Sequence, residues 1–315
     1  MRIPKQINEN STIGVVAPSF GINSEKYLTR YNIGKKQLEK LGFKIVECKS
    51  LFKLDKAQSN SPKTRAREFM KFYLDDSIDF VWSVCGGELM NEILPYIDFE
   101  ILKKARLKWF VGFSDNTNLT YTITTKCNIA SIYAMNLAEF FSEQPEEASY
   151  DLLNLLLNKK TAFTQYENEL VCLNKGKSVS IEGRLLGGCL DVIMNLIGTQ
   201  YDNTKAYLKK HNDVIWYLEA CDYNVCGLKR CLWQLNELGY FNNCKGIILG
   251  KMMNGDEQFG LTMEDVVKLL PQNIPVVYNV QLGHVPPIMP FINGAYVKVE
   301  VKNKKYKMTY DLNKR

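Results

Sequence analysis

The chain has 315 residues, 46% hydrophobic and 23% charged, with a formal net charge of +6 at pH 7. That length accommodates two domains with separate cores, and the balance excludes a disordered or fibrous protein. No apolar run approaches the ~20 residues of a membrane-spanning helix, and Met1-Arg2-Ile3-Pro4-Lys5-Gln6 offers no secretion signal, so a cytoplasmic protein is expected.

Thr12 to Ala17 is a short apolar run that predicts a strand ending at Pro18-Ser19. Helical spacing covers Ser24 to Leu41, with Gly42 as terminator. Phe43 to Cys48 alternates as a second strand, and Ser61-Pro62 supplies an N-cap with proline at the first helical position of a helix to about Leu74. Ile78 to Val84 predicts a third strand ending at Gly86-Gly87. Lys108 to Gly112 predicts a fourth, followed by a turn at Ser114 and a helix to about Lys126; Ile129 to Tyr133 is a fifth. Repeated β-α units of this length imply a parallel, doubly wound sheet, whose ligands sit beyond the carboxyl ends of the strands. Pro18-Ser19, Gly86-Gly87 and Ser114 all fall at those ends.

The pattern changes after residue 140. Glu143 to Glu147 is a polar break, a Leu-rich helix runs to about Lys159-Lys160, and short strands are expected at Glu169 to Leu173 and Ser178 to Leu186. Strands then follow at Val214–Leu218, Gly246–Leu249, Val276–Asn279, Tyr296–Val301 and Lys305–Tyr310, with helices near 188–197, 225–238 and 262–270. The expected organisation is α/β throughout: a nucleophile-bearing domain over 1–140, a linker over 141–164, and a mixed α/β, β-rich domain over 165–315. Lys302, Lys304, Lys305, Lys307 and Lys314-Arg315 read as a solvated edge, so neither nucleic acid nor membrane is an expected partner.

The nine cysteines are scattered and include no C-x-x-C pair, which argues for free thiols rather than a disulfide framework or a zinc site. Four positions carry the interest. Gly112-Phe113-Ser114-Asp115 has the order strand, tight turn, helix that lifts a nucleophilic hydroxyl above a sheet edge. The match to G-x-S-x-G is incomplete, since Asn116 replaces the second glycine, and a serine N-capping a helix would read the same way. Gly86-Gly87 permits close backbone approach, so that its N–H groups and that of Asp115 could bind an oxyanion; a tight βα turn is the plain alternative. Cys85-Gly86-Gly87-Glu88 lacks the lysine of a phosphate loop.

Only two histidines are available as an imidazole base. His211, in Lys209-Lys210-His211-Asn212-Asp213, reads as a solvated loop residue. His284 lies in Gly283-His284-Val285-Pro286-Pro287, a stiff loop past a strand that fixes where the ring points, whether for catalysis or for structure. Glu219 ends the strand Val214–Leu218 and is the carboxylate that could hold the imidazole tautomer.

Five segments, in order and spacing, resemble the LD-carboxypeptidase family of serine peptidases, which includes the microcin C self-immunity peptidases. They are Val15 to Ser19; Val84-Cys85-Gly86-Gly87 with Leu94 to Asp98; Val111 to Thr117; Glu182 to Leu190 with Gly198-Thr199; and Tyr217-Leu218-Glu219 followed by Gly283-His284. The resemblance implies a Rossmann-like N-terminal domain and a Ser–Glu–His triad of Ser114, Glu219 and His284. Gly86 and Asp115 would give the oxyanion N–H groups, with Gly87 and Glu88 against the substrate. It also implies no metal or organic cofactor, and a homodimer. The implied activity is release of terminal D-alanine from a muropeptide tetrapeptide in cell-wall recycling. The alternatives are cleavage of aminoacyl-nucleotide amides, as in the immunity peptidases, and non-catalytic muropeptide binding. Immunity-type relatives stack adenine on a tryptophan between the domains, whereas Glu139 to Lys177 has none. Two departures, Tyr133-Ala134-Met135 in place of Tyr-Gly-Pro and Cys85 in place of arginine, are expected to alter the cleft wall.

Overall fold

The computed structural model describes residues 1–166 and 170–314. The first half alternates as expected: β1 (Thr12–Val16), α1 (Glu25–Lys40), β2 (Lys44–Glu47), α2 (Pro62–Leu74), β3 (Phe80–Ser83), α3 (Phe99–Lys104), β4 (Phe110–Gly112), α4 (Thr117–Cys127) and β5 (Ser131–Tyr133). Ser24 caps α1 by accepting the Tyr27 N–H, and Gly42 turns the chain out of it with φ +96°. Ser61 stands at the α2 N-cap position, yet its hydroxyl bonds Thr64 Oγ1 rather than a backbone N–H. The helix α3 was not legible as a period. Asp98 starts it by accepting the Ile101 N–H. The five strands pair in parallel in the order β2-β1-β3-β4-β5, so their carboxyl ends share one edge.

The second half runs α5 (Glu146–Leu156), β6 (Ala162–Thr164), β7 (Cys172–Leu173), β8 (Ser178–Cys189), α6 (Leu190–Leu196), α7 (Thr204–Lys210), β9 (Val214–Glu219), α8 (Val225–Glu237), β10 (Gly246–Gly250), α9 (Met263–Val267), β11 (Val276–Val280), β12 (Phe291–Asn293), β13 (Tyr296–Lys302) and β14 (Lys305–Asp311). Its sheet has the order β6-β14-β13-β8-β9-β10-β11-β7, with β8, β9, β10 and β11 parallel and the flanks antiparallel. Of the strand expected at Glu169 to Leu173, Cys172–Leu173 is present; Glu169 lies outside the described residues. β6, α7 and β12 are additions to the sequence reading. β12 returns to the first sheet and pairs antiparallel with β5, because Phe291 and Ile292 are apolar enough to close that edge.

Helix α4 joins the two layers. Nearly every residue from Thr117 to Cys127 is buried, and two of its threonine hydroxyls, Thr122 and Thr125, bond back to the Asn118 and Tyr121 carbonyls. Its N-terminus meets the end of β8 where Thr117 Oγ1 accepts the Cys189 N–H at 3.0 Å. His211 differs from expectation. It closes α7, is 9% exposed, packs on Tyr207 with centroids 4.5 Å apart, and bonds Asn128 Oδ1 at 3.1 Å. Burial first, and then Arg184, pull its pKa down to about 4. Among the described residues no helix is long and apolar enough to cross a membrane.

Candidate active site

Ser114 follows β4 at the sheet's carboxyl edge and begins a short 3-10 turn, Ser114–Asn116, that leads into α4. Its φ is +63°, a left-handed value that costs a non-glycine residue of order 1 kcal/mol or more and persists only where neighbours over-determine it. Asn116, in the place of the missing glycine, is one such neighbour: its Nδ2 donates to the carbonyls of Cys85 and Phe113 and to Asn136 Oδ1. Asn136 Oδ1 also accepts the Phe113 N–H, and Glu139 accepts from the Asn136 backbone. Asp115 locks the other side, its buried carboxylate accepting from Ser19 Oγ, Met90 N–H and Asn118 Nδ2. Burial raises the Asp115 pKa despite those donors.

Glu219 and His284 arrive from the second sheet. Glu219 is the last residue of β9, beside Cys189 of β8 in the register, and its side chain is fully buried. His284 follows β11 in a loop closed by a hydrogen bond from Met289 N–H to the Gln281 carbonyl. Its Nδ1 lies 2.9 Å from Glu219 Oε2 and its Nε2 lies 2.9 Å from Ser114 Oγ. With Nδ1–H donated to the carboxylate, Nε2 is left as the acceptor that faces the hydroxyl. Burial lowers the His284 pKa, but the Glu219 carboxylate outweighs it together with the neighbouring Cys221, so the ring titrates above the ordinary imidazole range. In its neutral form the ring can take the proton of Ser114, and the carboxylate then holds the resulting imidazolium.

Gly86 lies against Ser114: a Cβ there would sit 3.0 Å from Ser114 Cβ and 3.2 Å from its Oγ. The Gly86 backbone, three residues past β3, thus lies beside the hydroxyl, and Asp115 follows Ser114 in the helical turn. A small cleft of about 140 Å³ opens over Ser114, and Gly87, Glu88, Asn91, Cys189, Asp191 and Cys221 are among its walls. The expected substrate contacts Gly87 and Glu88 are thus in the cleft.

The two family departures fall elsewhere than expected. Cys85 is 6% exposed and Ala134 and Met135 are 2% and 1% exposed, so all three sit behind the cleft rather than on its wall. The reason is local: Met135 faces the core, its carbonyl accepting from Trp82 Nε1. Burial, reinforced by Glu139 and Glu143, pushes the Cys85 thiol pKa well up. Sequence reading missed Tyr133, Cys189, Asp191 and Cys221. In the sequence Tyr133 ends the fifth strand and belongs to one of the departures, and its place at the strand end beside β4 is the signal that points to the site. Among the described residues no group of three or more His, Cys, Asp or Glu is arranged to hold a metal ion.

Two family descriptions match the chain: LD-carboxypeptidase N-terminal domain over residues 13–134 and LD-carboxypeptidase C-terminal domain over residues 182–299. Relatives along almost the whole chain include the probable murein peptide carboxypeptidase of Bacillus subtilis, 24% identical over 96% of this chain and 92% of its own length. The microcin C7 self-immunity protein MccF of Escherichia coli is 24% identical over 89% of this chain and 88% of its own. Among solved structures, an MccF-like protein from Bacillus anthracis superposes with a TM-score of 0.82 at 22% identity, covering 98% of this chain and 99% of that one. MccF in complex with aspartyl sulfamoyl adenosine gives 0.81 at 22% identity, covering 98% of each. These likenesses show the two-layered α/β fold.

Proposed function

The chain belongs to the LD-carboxypeptidase family, and within it we propose a serine carboxypeptidase that releases the terminal D-alanine of a muropeptide tetrapeptide in cell-wall recycling. The observation that carries this reading is the unbroken line from Ser114 Oγ through His284 to Glu219, with 2.9 Å at both contacts. Ser114 Oγ attacks the carbonyl carbon while His284 Nε2 takes its proton. The Gly86 and Asp115 N–H groups receive the negative oxygen of the tetrahedral intermediate, and Glu219 stabilises the imidazolium. Collapse breaks the C–N bond as His284 returns the proton to the leaving amine, and water then hydrolyses the acyl-enzyme by the same route.

The cleft walls favour a peptide over a nucleotide. Glu88, Asp191 and Asp222 line it, and among the described residues that line it none is lysine or arginine. Carboxylates suit the ammonium group of a diamino-acid side chain and repel a phosphate or sulfamate. Trp82 and Trp216 are buried in strands, Trp109 is buried just before β4, and Trp233 lies on α8. The proposal places the enzyme in the cytoplasm as a homodimer. Its test is incubation with a muramoyl tetrapeptide and, separately, with an aminoacyl-adenylate analogue, products being read by mass spectrometry. D-Alanine release from the first alone is expected. Cleavage of the second alone would replace this reading by the immunity type, and binding without turnover would leave a muropeptide-binding protein.

A further inference from the structure

Ser114 and Glu219 are connected twice, once through the imidazole and once beneath it through Tyr133. The Tyr133 Oη accepts the Ser114 backbone N–H at 3.2 Å and donates to Glu219 Oε1 at 2.5 Å. Glu219 Oε2 faces His284 Nδ1, and His284 Nε2 faces Ser114 Oγ. The four groups close a ring that leaves Ser114 by its N–H and returns to it at its hydroxyl. We propose that Tyr133 is a positioning residue that holds the acid of the triad and the backbone of the nucleophile in one register. The proposal rests on the reading of Ser114, Glu219 and His284 as a catalytic triad.

The sheet puts Tyr133 there. It ends β5 and is the register partner of Gly112, two residues before the serine. Its ring is fixed by Phe113 and Tyr217, with centroids 6.0 and 5.8 Å away, and the residue is 1% exposed. A buried carboxylate keeps its charge only if donors replace water, and Glu219 has one for each oxygen, imidazole on Oε2 and phenol on Oε1. The phenol remains a donor at any physiological pH, because burial and then the Glu219 charge raise its pKa well above 10. By binding Oε1 it keeps the carboxylate plane turned so that Oε2 meets Nδ1. By accepting the Ser114 N–H it also anchors the left-handed turn. Nothing in the ring touches substrate through Tyr133, so its effect belongs in kcat and not in KM.

The experiment compares the wild-type protein with Tyr133→Phe and with Tyr133→3-fluorotyrosine, an isosteric variant whose more acidic phenol donates more strongly. Two rates are read across pH: D-alanine release, and labelling of Ser114 by a fluorophosphonate, which needs no substrate. A hydrogen bond to a charged group contributes about 1.5–3 kcal/mol, or roughly ten- to hundredfold in rate. Tyr133→Phe is expected to slow both rates by that factor with KM changed less than about threefold, and to move the acid limb to higher pH, since the Glu219 charge, no longer shared with the phenol, acts more fully on the imidazolium. Tyr133→3-fluorotyrosine is expected to move the limb the opposite way. The other titratable groups facing the pair, Cys221, Cys189 and Glu139, are the same in every variant. Tyr217→Phe, which removes a neighbouring buried hydroxyl outside the ring, is expected to leave both rates and the limb unchanged. Wild-type labelling rates with unmoved limbs in both Tyr133 variants would overturn the proposal, as would an equal loss in Tyr217→Phe. Absence of any labelling at Ser114 in the wild type would instead overturn the triad, and the proposal with it.

Discussion

Gly283 and Glu219 are in contact so close that the glycine admits no side chain: a Cβ on Gly283 would lie 2.4 Å from Glu219 Oε2, the oxygen that faces His284. The residue also has φ +96°, a conformation in which L-residues are strained. The loop that delivers the imidazole therefore packs its backbone directly on the acid. Gly283→Ala must push either the carboxylate or the loop away. We expect a loss of at least about a hundredfold in kcat/KM and a fall of a few degrees in Tm, given strain of about 1–3 kcal/mol. Unchanged kinetics and melting would show that the loop can retreat without cost.

Ser114→Ala is expected to lower turnover of any accepted substrate by several powers of ten, because a triad without its nucleophile retains little. Its melting temperature should stay within a few degrees of wild type, since one hydroxyl contributes about 1 kcal/mol. Activity within tenfold of wild type, measured by product release, would place the nucleophile elsewhere.

The pH dependence follows from the His284–Glu219 pair. His284 acts as base only when neutral, and the carboxylate raises its pKa above the ordinary value of about 6.5. The rate, kcat/KM, should therefore be depressed at acid pH and rise through an apparent pKa above that value. Glu219→Gln removes the charge, so the rise should move to lower pH while the rate at the plateau falls strongly. A profile flat between pH 5 and 8 would count against imidazole base catalysis.

Thiol chemistry separates two cysteines. Cys85 is buried and held protonated, whereas Cys221 is half-buried, lines the cleft and neighbours His284. Iodoacetamide should inactivate the protein through Cys221, with Cys221→Ser resisting inactivation and Cys85→Ser retaining most activity. Near-total loss in Cys85→Ser would make that thiol the nucleophile.

EDTA or o-phenanthroline should leave turnover unchanged, as the proposed route uses only side chains and backbone N–H groups. Inhibition reversed by added zinc would overturn a purely serine mechanism.

Much of this was legible locally. The apolar runs before Pro18, Gly86 and Ser114, separated by helical periods, define parallel strands whose ends share an edge, because strand and helix periodicities are properties of neighbouring residues. Ser114 was visible from the strand–turn–helix order, and His284 from its stiff loop and the scarcity of histidine. His211 was misread because Lys209, Lys210, Asn212 and Asp213 around it are polar, while the face that buries it belongs to Asn128 and Tyr207.

By itself the sequence determined the α/β class, the candidate nucleophile and the short list of its partners. Only the tertiary structure decided that Ser114 and His284, 170 positions apart, and His284 and Glu219, 65 apart, stand in hydrogen-bond contact. It also decided that Tyr133, 86 positions from Glu219, underlies them and that β12 crosses back to close the first sheet. Those contacts depend on how two sheets dock across the buried helix α4. Docking is set by the complementarity of whole surfaces, and no window of neighbouring residues contains that information.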